Sequence, residues 1–259
     1  MKIVVCVKQV PDSAAKVVVE EGQITWGEAP MVINPWDEYA VEAALQKAKE
    51  CSGKVVALGL GDSGSTEALK HALAMGCNSA LLVSDPVLSG ADNLAAAGAM
   101  AAAIRKLGDV DMVVFGKQAI DSDTGMMAAQ VARLLGWPAL TLVSAIPELD
   151  TEAKTVRVVR SIEEGKQIVQ GKLPVVISVG KDFGEPRYPS FMGIRKAAKA
   201  VIPEWGLTDL EMAPPEPLVN WVEVMNPPQL AVKTEMIEGS SAEEIAEKLA
   251  DKIMAEKVL

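Results

Sequence analysis

The sequence predicts an α/β protein: a parallel sheet with helices on both faces, then an extended C-terminal arm and a terminal helix. Three observations carry this expectation. Short apolar, β-branched runs such as Lys2–Val7 lack polar alternation, as strands buried on both faces do. They alternate with helix-length segments, the rhythm of a parallel sheet. After Lys181 that rhythm stops and proline takes over.

The elements follow in order. After the strand Lys2–Val7, Asn34-Pro35-Trp36-Asp37 reads as a helix start. Asn34 can cap, Pro35 suits the first helical position, and Asp37 places negative charge in the first turn. That helix runs to about Glu50. Lys54–Leu60 is a second strand, 61–65 a polar turn, and Thr66–Met75 a helix stopped by Gly76. A strand at 80–83 precedes an Ala-rich helix from Asp92 to about Gly108. A strand at 111–115, a loop at 116–123 and a helix at 124–135, closed by Gly136 and Pro138, complete the regular part. The runs 155–161 and 167–170, around Glu163-Glu164-Gly165, predict a hairpin, with one more strand at 173–179. Eight prolines follow between Lys181 and Pro228 (Pro186, Pro189, Pro203, Pro214, Pro215, Pro217, Pro227 and Pro228), which reads as an extended arm. Residues 241–255 form an amphipathic helix capped by Ser241. Its Ile245, Leu249 and Ile253 need a surface, either the chain's own domain or a partner. The expected division is 1–180, including the hairpin near 155–171, and 181–259.

Bulk properties exclude several functions. The 259 residues allow a sizeable core. A net charge of −10 argues against a nucleic-acid partner and an anionic membrane surface. No run of about 18 apolar residues predicts membrane insertion, and the N-terminus lacks the pattern of a secretory signal. Cys6, Cys51 and Cys77 form no CxxC pair, which disfavours a disulfide framework or zinc site and suits a reducing, cytoplasmic compartment. The single histidine, His71, falls mid-helix, and no nucleophile–base set assembles around it. Lys8-Gln9-Val10-Pro11-Asp12 stands where a dinucleotide-binding G-x-G-x-x-G would be, and no Walker A motif occurs. A stand-alone catalyst is not expected.

Ligands of parallel sheets sit beyond the carboxyl ends of the strands, so the loops at 8–13, 61–65 and 116–123 are the ones to watch. The last continues as Ala119, Ile120, Asp121, Ser122, Asp123, Thr124 and Gly125 into a helix. Backbone N–H groups at a helix start suit phosphate, Thr124 can donate a hydroxyl, and Asp121 or Asp123 can cap the helix or bind ribose. A capped loop with no ligand is the alternative. The segment 185–199 is basic within an acidic chain and sets Tyr188, Phe191, Met192 and Ile194 among Arg187, Arg195, Lys196 and Lys199. It reads either as a partner-docking loop or as a surface helix packing its apolar face inward.

Several segments together resemble the beta subunit of electron-transfer flavoproteins: Val7 through Asp12, Ile33-Asn34-Pro35 with Asp37-Glu38 and Ala40-Val41-Glu42, Ala72 through Gly76, Gly116 through Asp121, Leu135 through Pro138, Leu173-Pro174, and Glu185 through Tyr188. The resemblance implies an adenine-nucleotide-binding α/β domain whose C-terminal arm embraces an alpha subunit. That subunit carries most contacts to a redox-active FAD. The resemblance also implies a structural AMP held by Cys6, Lys8, Asn34, Pro35, Trp36, Asp37, Leu60 and the loop from Ala119 through Met126 and Met127. Electrons would come from flavin dehydrogenases, such as acyl-CoA dehydrogenases, and pass to a quinone reductase. The docking loop would span Arg187 to Lys199, with Phe191 where the family usually has Leu. Asp123 runs straight into Thr124-Gly125-Met126-Met127. That length is similar to the electron-bifurcating branch, where a second FAD replaces AMP and NADH is used, although the Gln and Pro typical of that branch are missing. A stand-alone nucleotide-binding module similar to universal stress proteins would share the pattern to about residue 140 but would not explain the arm.

Overall fold

The computed structural model describes residues 1–226, 228 and 234–256. Pro227, named above among the arm's prolines, lies outside them. The described chain forms two compact units, Met1–Val224 and Met225–Leu259.

In the first unit the elements are β1 (Lys2–Val7), β2 (Gln9–Pro11), β3 (Val18–Glu20), β4 (Gln23–Thr25), β5 (Met31–Ile33), α1 (Pro35–Glu50), β6 (Lys54–Leu60), α2 (Thr66–Met75), β7 (Ser79–Val83), α3 (Asn93–Leu107), β8 (Met112–Gly116), α4 (Met127–Leu135), β9 (Ala139–Asp150), β10 (Thr155–Ile162), β11 (Gly165–Lys172), β12 (Val175–Val179), α5 (Phe191–Ala197) and β13 (Glu204–Trp205). One nine-stranded sheet runs β11-β10-β9-β12-β8-β1-β6-β7-β13. It is parallel from β9 through β13, and β10 and β11 extend it as antiparallel strands. The α/β expectation therefore holds, with a mostly parallel sheet in place of a wholly parallel one.

Burial on both faces explains the uninterrupted apolar run of β1. Ile3, Val5 and Val7 pack toward α1 and α2, with Val41, Ala44, Leu69 and Ala72. Val4 and Cys6 point the other way, toward α3 and α4, with Met100, Ile104 and Val131. Alanine lines much of α3, letting that helix lie close to the sheet in a chain poor in aromatics.

The structure differs from the sequence expectation in identifiable places. Helix α4 begins at Met127, not Thr124, because Asp123 (φ 54°) and Gly125 (φ 60°) take left-handed conformations that a helix cannot pass through. The twelve-residue β9 joins the sheet where no strand was expected, and β10–β11 forms the expected hairpin beside it. Residues 9–33, left unassigned by the sequence pattern, form two small antiparallel pairs, β2–β5 and β3–β4. Within the expected arm, β13 adds to the sheet edge beside β7.

In the second unit, α6 (Ala242–Ala255) starts as expected. Ser241 accepts a hydrogen bond from the Glu244 N–H, and the Glu244 carboxylate takes the Ser240 N–H at 2.8 Å. Ile245, Leu249 and Ile253 recur every four residues as one stripe, and all three are exposed.

Candidate functional site

The sheet's carboxyl edge places the site. β1, β6 and β8 end side by side, and the chain leaving each enters a loop or helix start. Between these strand ends, the start of α3 and the start of α4 lies a cavity of ≈ 270 Å³, at the small end for ligand pockets.

Its floor is built by Cys6, Lys8 and Asp37. The Asp37 carboxylate, buried in the first turn of α1, accepts the Lys8 N–H at 2.8 Å. The Asn34 side chain and the Gly116 N–H also favour its charged form. Burial pushes its pKa up to about 7, against these hydrogen bonds and the Lys8 charge, which pull it down. The same burial, helped by the Asp37 charge, raises the Cys6 thiol well above its ordinary range, the reverse of what a reactive thiolate needs.

Asn34 does not cap α1 with its side chain. Instead, its amide donates to Gln118 O at 2.9 Å and its oxygen accepts the Ile120 N–H at 3.3 Å, so it pins the loop after β8 against the start of α1. Asp121 does not cap α4 either, since it holds Lys8 Nζ at 2.6 and 2.7 Å through its two oxygens. Asp123 takes the amide of Gln118. The N-terminus of α4 is thus left without a side-chain cap, and Met126, Met127 and Ala128 at that end line the cavity. An uncapped helix start carries partial positive charge and unpaired N–H groups, and two lysines, Lys8 and Lys117, line the same space.

Of the residues singled out from the sequence, Cys6, Lys8, Asn34, Asp37, Leu60, Ala119, Ser122, Thr124, Gly125, Met126 and Met127 line the cavity. Pro35, Trp36, Ile120, Asp121 and Asp123 do not. They shape it from behind. The Trp36 ring carries Lys117 Nζ 5.5 Å from its centroid, a cation–π contact that steadies this lysine. Sequence reading missed the opposite wall: Leu88 and Ala91 from the approach to α3, Asn93, Ala96 and Met100 from α3 itself, and Phe115 from β8. The rule that ligands sit beyond strand ends could have flagged the segment after β7 as well. The result is an apolar slot beside a cationic, N–H-rich end, suited to a flat ring with an anionic tail.

The basic segment adopts a different arrangement. Arg187, grouped above with docking cations, turns its guanidinium onto Glu42 of α1. Nε lies 2.6 Å from Oε2 and Nη2 2.9 Å from Oε1, and its backbone N–H adds a third bond at 3.1 Å. Burial pushes the Glu42 carboxyl up, but Arg187 and Gln46 outweigh it and hold the group below its ordinary range. Beyond Arg187, Tyr188 is 94% and Phe191 79% exposed, and Met192 and Ile194 are also open. The alternative of a helix packing these apolar side chains inward does not hold for them; in α5 only Ala197 is buried.

Among the described residues, no group of acidic, Cys or His side chains could hold a metal, and no helix is long and apolar enough to cross a membrane.

Comparison with known proteins gives the family. The family described as "Electron transfer flavoprotein domain" matches residues 24–210. The caffeyl-CoA reductase–Etf complex subunit CarD of Acetobacterium woodii is 34% identical over 266 residues, covering all of both chains. The electron transfer flavoprotein subunit beta of Megasphaera elsdenii is 33% identical over 276 residues, again covering both completely. Protein FixA of Azorhizobium caulinodans is 36% identical over 214 residues, 81% of this chain and 76% of its own. With an α/β sheet, a ligand-sized cavity at its carboxyl edge and relatives of this kind along its whole length, the chain belongs to the electron-transfer flavoprotein family as a beta-type subunit.

Proposed function

We propose that this chain pairs with an alpha subunit to form an electron carrier, holds AMP in the cavity at the sheet's carboxyl edge, and presents the loop after Arg187 to an electron donor. The observation that carries the AMP reading is the pairing of an apolar slot with the uncapped start of α4 and with Lys117 beside it, while Lys8 is held by Asp121 in the floor. A phosphate fits the cationic end, and a purine fits between Met100, Phe115 and the α4 start. Asn34, Asp37 and Lys8 would orient the nucleotide. Trp36 and Pro35 would support the first turn of α1, and Ile120, Asp121 and Asp123 would hold the loop. A redox FAD, held mainly by the alpha subunit, would supply the one- and two-electron chemistry. Its part would be that of a carrier subunit, not a stand-alone enzyme, and among the described residues no catalytic acid–base pair stands out.

Electrons would arrive from flavin dehydrogenases, such as acyl-CoA dehydrogenases, and leave to a quinone reductase or similar acceptor, in the cytoplasm. The segment from Leu218 to Val222 and the apolar stripe of α6 would embrace the alpha subunit. A second reading places a second FAD in the cavity in place of AMP, with NADH as reductant. It is favoured by the short loop, in which Asp123 leads directly to Thr124.

Co-expression with a candidate alpha subunit, purification, denaturation and nucleotide quantification test the proposal. One FAD and one AMP per heterodimer is the expected result. Two FAD and no AMP would replace it with the second reading. A chain that forms no complex and releases no flavin would refute both.

The docking reading makes a separate prediction. Phe191 is an exposed aromatic at the tip of the loop, the kind of residue that anchors interfaces. Phe191→Ala should slow reduction by an acyl-CoA dehydrogenase by about tenfold to a hundredfold, as loss of a hot-spot side chain does, while flavin content stays the same. Unchanged kinetics would remove the loop from the docking role.

A further inference from the structure

We infer that Arg187 belongs to the foundation of the docking loop rather than to its face: clamped on the buried Glu42, it is a positioning residue that sets Tyr188, Phe191 and Met192 in place. The inference rests on the docking role proposed above for those side chains.

Glu42 has a side chain only 7% exposed, so it cannot reach a protein partner. Both of its oxygens are already engaged, by Arg187 on two nitrogens and one backbone N–H, and by Gln46 Nε2 at 2.9 Å. A fork-on-carboxylate pair has one geometry, which fixes the direction in which the chain leaves residue 187. The far end of the loop is fixed independently. Gly193 lies so close to the last turn of α2 that a side-chain carbon there would collide with Ala74 O. Ser190 caps α5 by accepting the Gly193 N–H at 3.0 Å, and Ala197 is buried. Residues 188–192 are therefore a short span tied at both ends, with its apolar side chains turned outward. Such a span enters a complex with little ordering left to do.

This assignment separates the loop's charges by role. Arg195, Lys196 and Lys199 remain to attract an acidic partner, and Arg187 does not join them. A lysine at 187 keeps the charge but cannot make the two-nitrogen contact. Gln at 42 removes the charge from a position no partner can touch.

The test uses the complex of this chain with its alpha subunit and two variants, Glu42→Gln and Arg187→Lys. The first readout is amide hydrogen exchange. Both variants should speed exchange in the peptide spanning 188–198 by about tenfold, as expected for loss of local ordering, and leave the peptide spanning 117–127 unchanged. The second is reduction by a purified acyl-CoA dehydrogenase. Both variants should raise the apparent KM for the complex by about tenfold through lost preorganisation, with kcat and flavin content preserved. Unchanged exchange at 188–198 in both variants would overturn the clamp. An Arg187→Lys variant that matches the parent in exchange and in KM would do so as well, because it would show that charge alone is used. Faster exchange with an unaltered KM would leave the clamp standing and sink the docking role instead. Arg187→Lys is the milder change and keeps the test decisive if Glu42→Gln folds poorly.

Discussion

Gly116→Ala should lower stability by about 3 kcal/mol, the upper range for forced overpacking. That corresponds to a fall of roughly 6–12 °C in Tm for a domain of this size. Gly116 ends β8 against the first turn of α1. A side-chain carbon there would collide with the Asp37 carboxylate and lie 2.7 Å from the Trp36 carbonyl carbon and oxygen. A flexible side-chain tip could move aside, but Trp36 presents backbone, and that backbone belongs to the helix turn holding Asp37 and Asn34. Relief would require α1 to back away from the sheet, opening the floor of the cavity. Nucleotide retention should fall along with Tm. Gly180→Ala is the control. Its nearest neighbour is the Trp36 ring at 3.9 Å, an ordinary contact, and its φ of −117° suits any residue. A near-neutral Gly116→Ala would mean that α1 adjusts freely and that the cavity floor is softer than the packing indicates.

Asp37→Asn should raise stability at pH 8 and flatten its dependence on pH. The carboxyl moves from 3.8 to about 7 on folding, chiefly through burial. In the window between these values the folded chain binds the proton and the unfolded chain does not, so stability falls as pH rises. The contribution is fully present below pH 4 and lost once pH passes 7. A shift of this size corresponds to something on the order of 4 kcal/mol across the window. The amide resembles the protonated acid, so the variant should gain on the order of 2–4 kcal/mol at pH 8, less whatever its extra N–H groups fail to bond. Urea unfolding of the nucleotide-free protein from pH 4.5 to 8 measures this directly. A variant less stable than the parent at pH 8 would show that the Lys8 and Gly116 N–H groups outweigh burial and keep Asp37 charged.

Both predictions turn on a contact that sequence order hides. Local signals were legible. The two-faced run of β1, Pro35 at the first helical position and the Gly136 helix stop each follow from a few adjacent residues. That a loop at a strand's carboxyl end follows β8 was legible too, although its helix starts later than expected and Ile120, Asp121 and Asp123 do not face the cavity. Long-range pairings were not. Lys8 and Asp121 are 113 positions apart, and Arg187 and Glu42 are 145 apart. No periodicity joins such residues, so Asp121 looked like a cap and Arg187 like a free surface cation. The wall from Leu88 to Met100 escaped for the same reason: its apolar and small side chains look like ordinary helix packing until β7 delivers them to the cavity. Strand β9 follows directly on the Gly136–Pro138 stop signal and mixes polar with apolar positions, which concealed its length.

The open apolar side chains have a consequence for supply within a cell. Leu218, Val219, Trp221 and Val222 stand in water, and so does every large apolar residue of α6. Exposed apolar side chains of this kind are what chaperones and degradative proteases recognise. Molecules made in excess of whatever covers these patches would be sorted as damaged goods, however sound their sheet and cavity. The abundance of the folded chain would then be set by the rate at which its cover is synthesised, and matched translation of the two would matter as much as the stability of either.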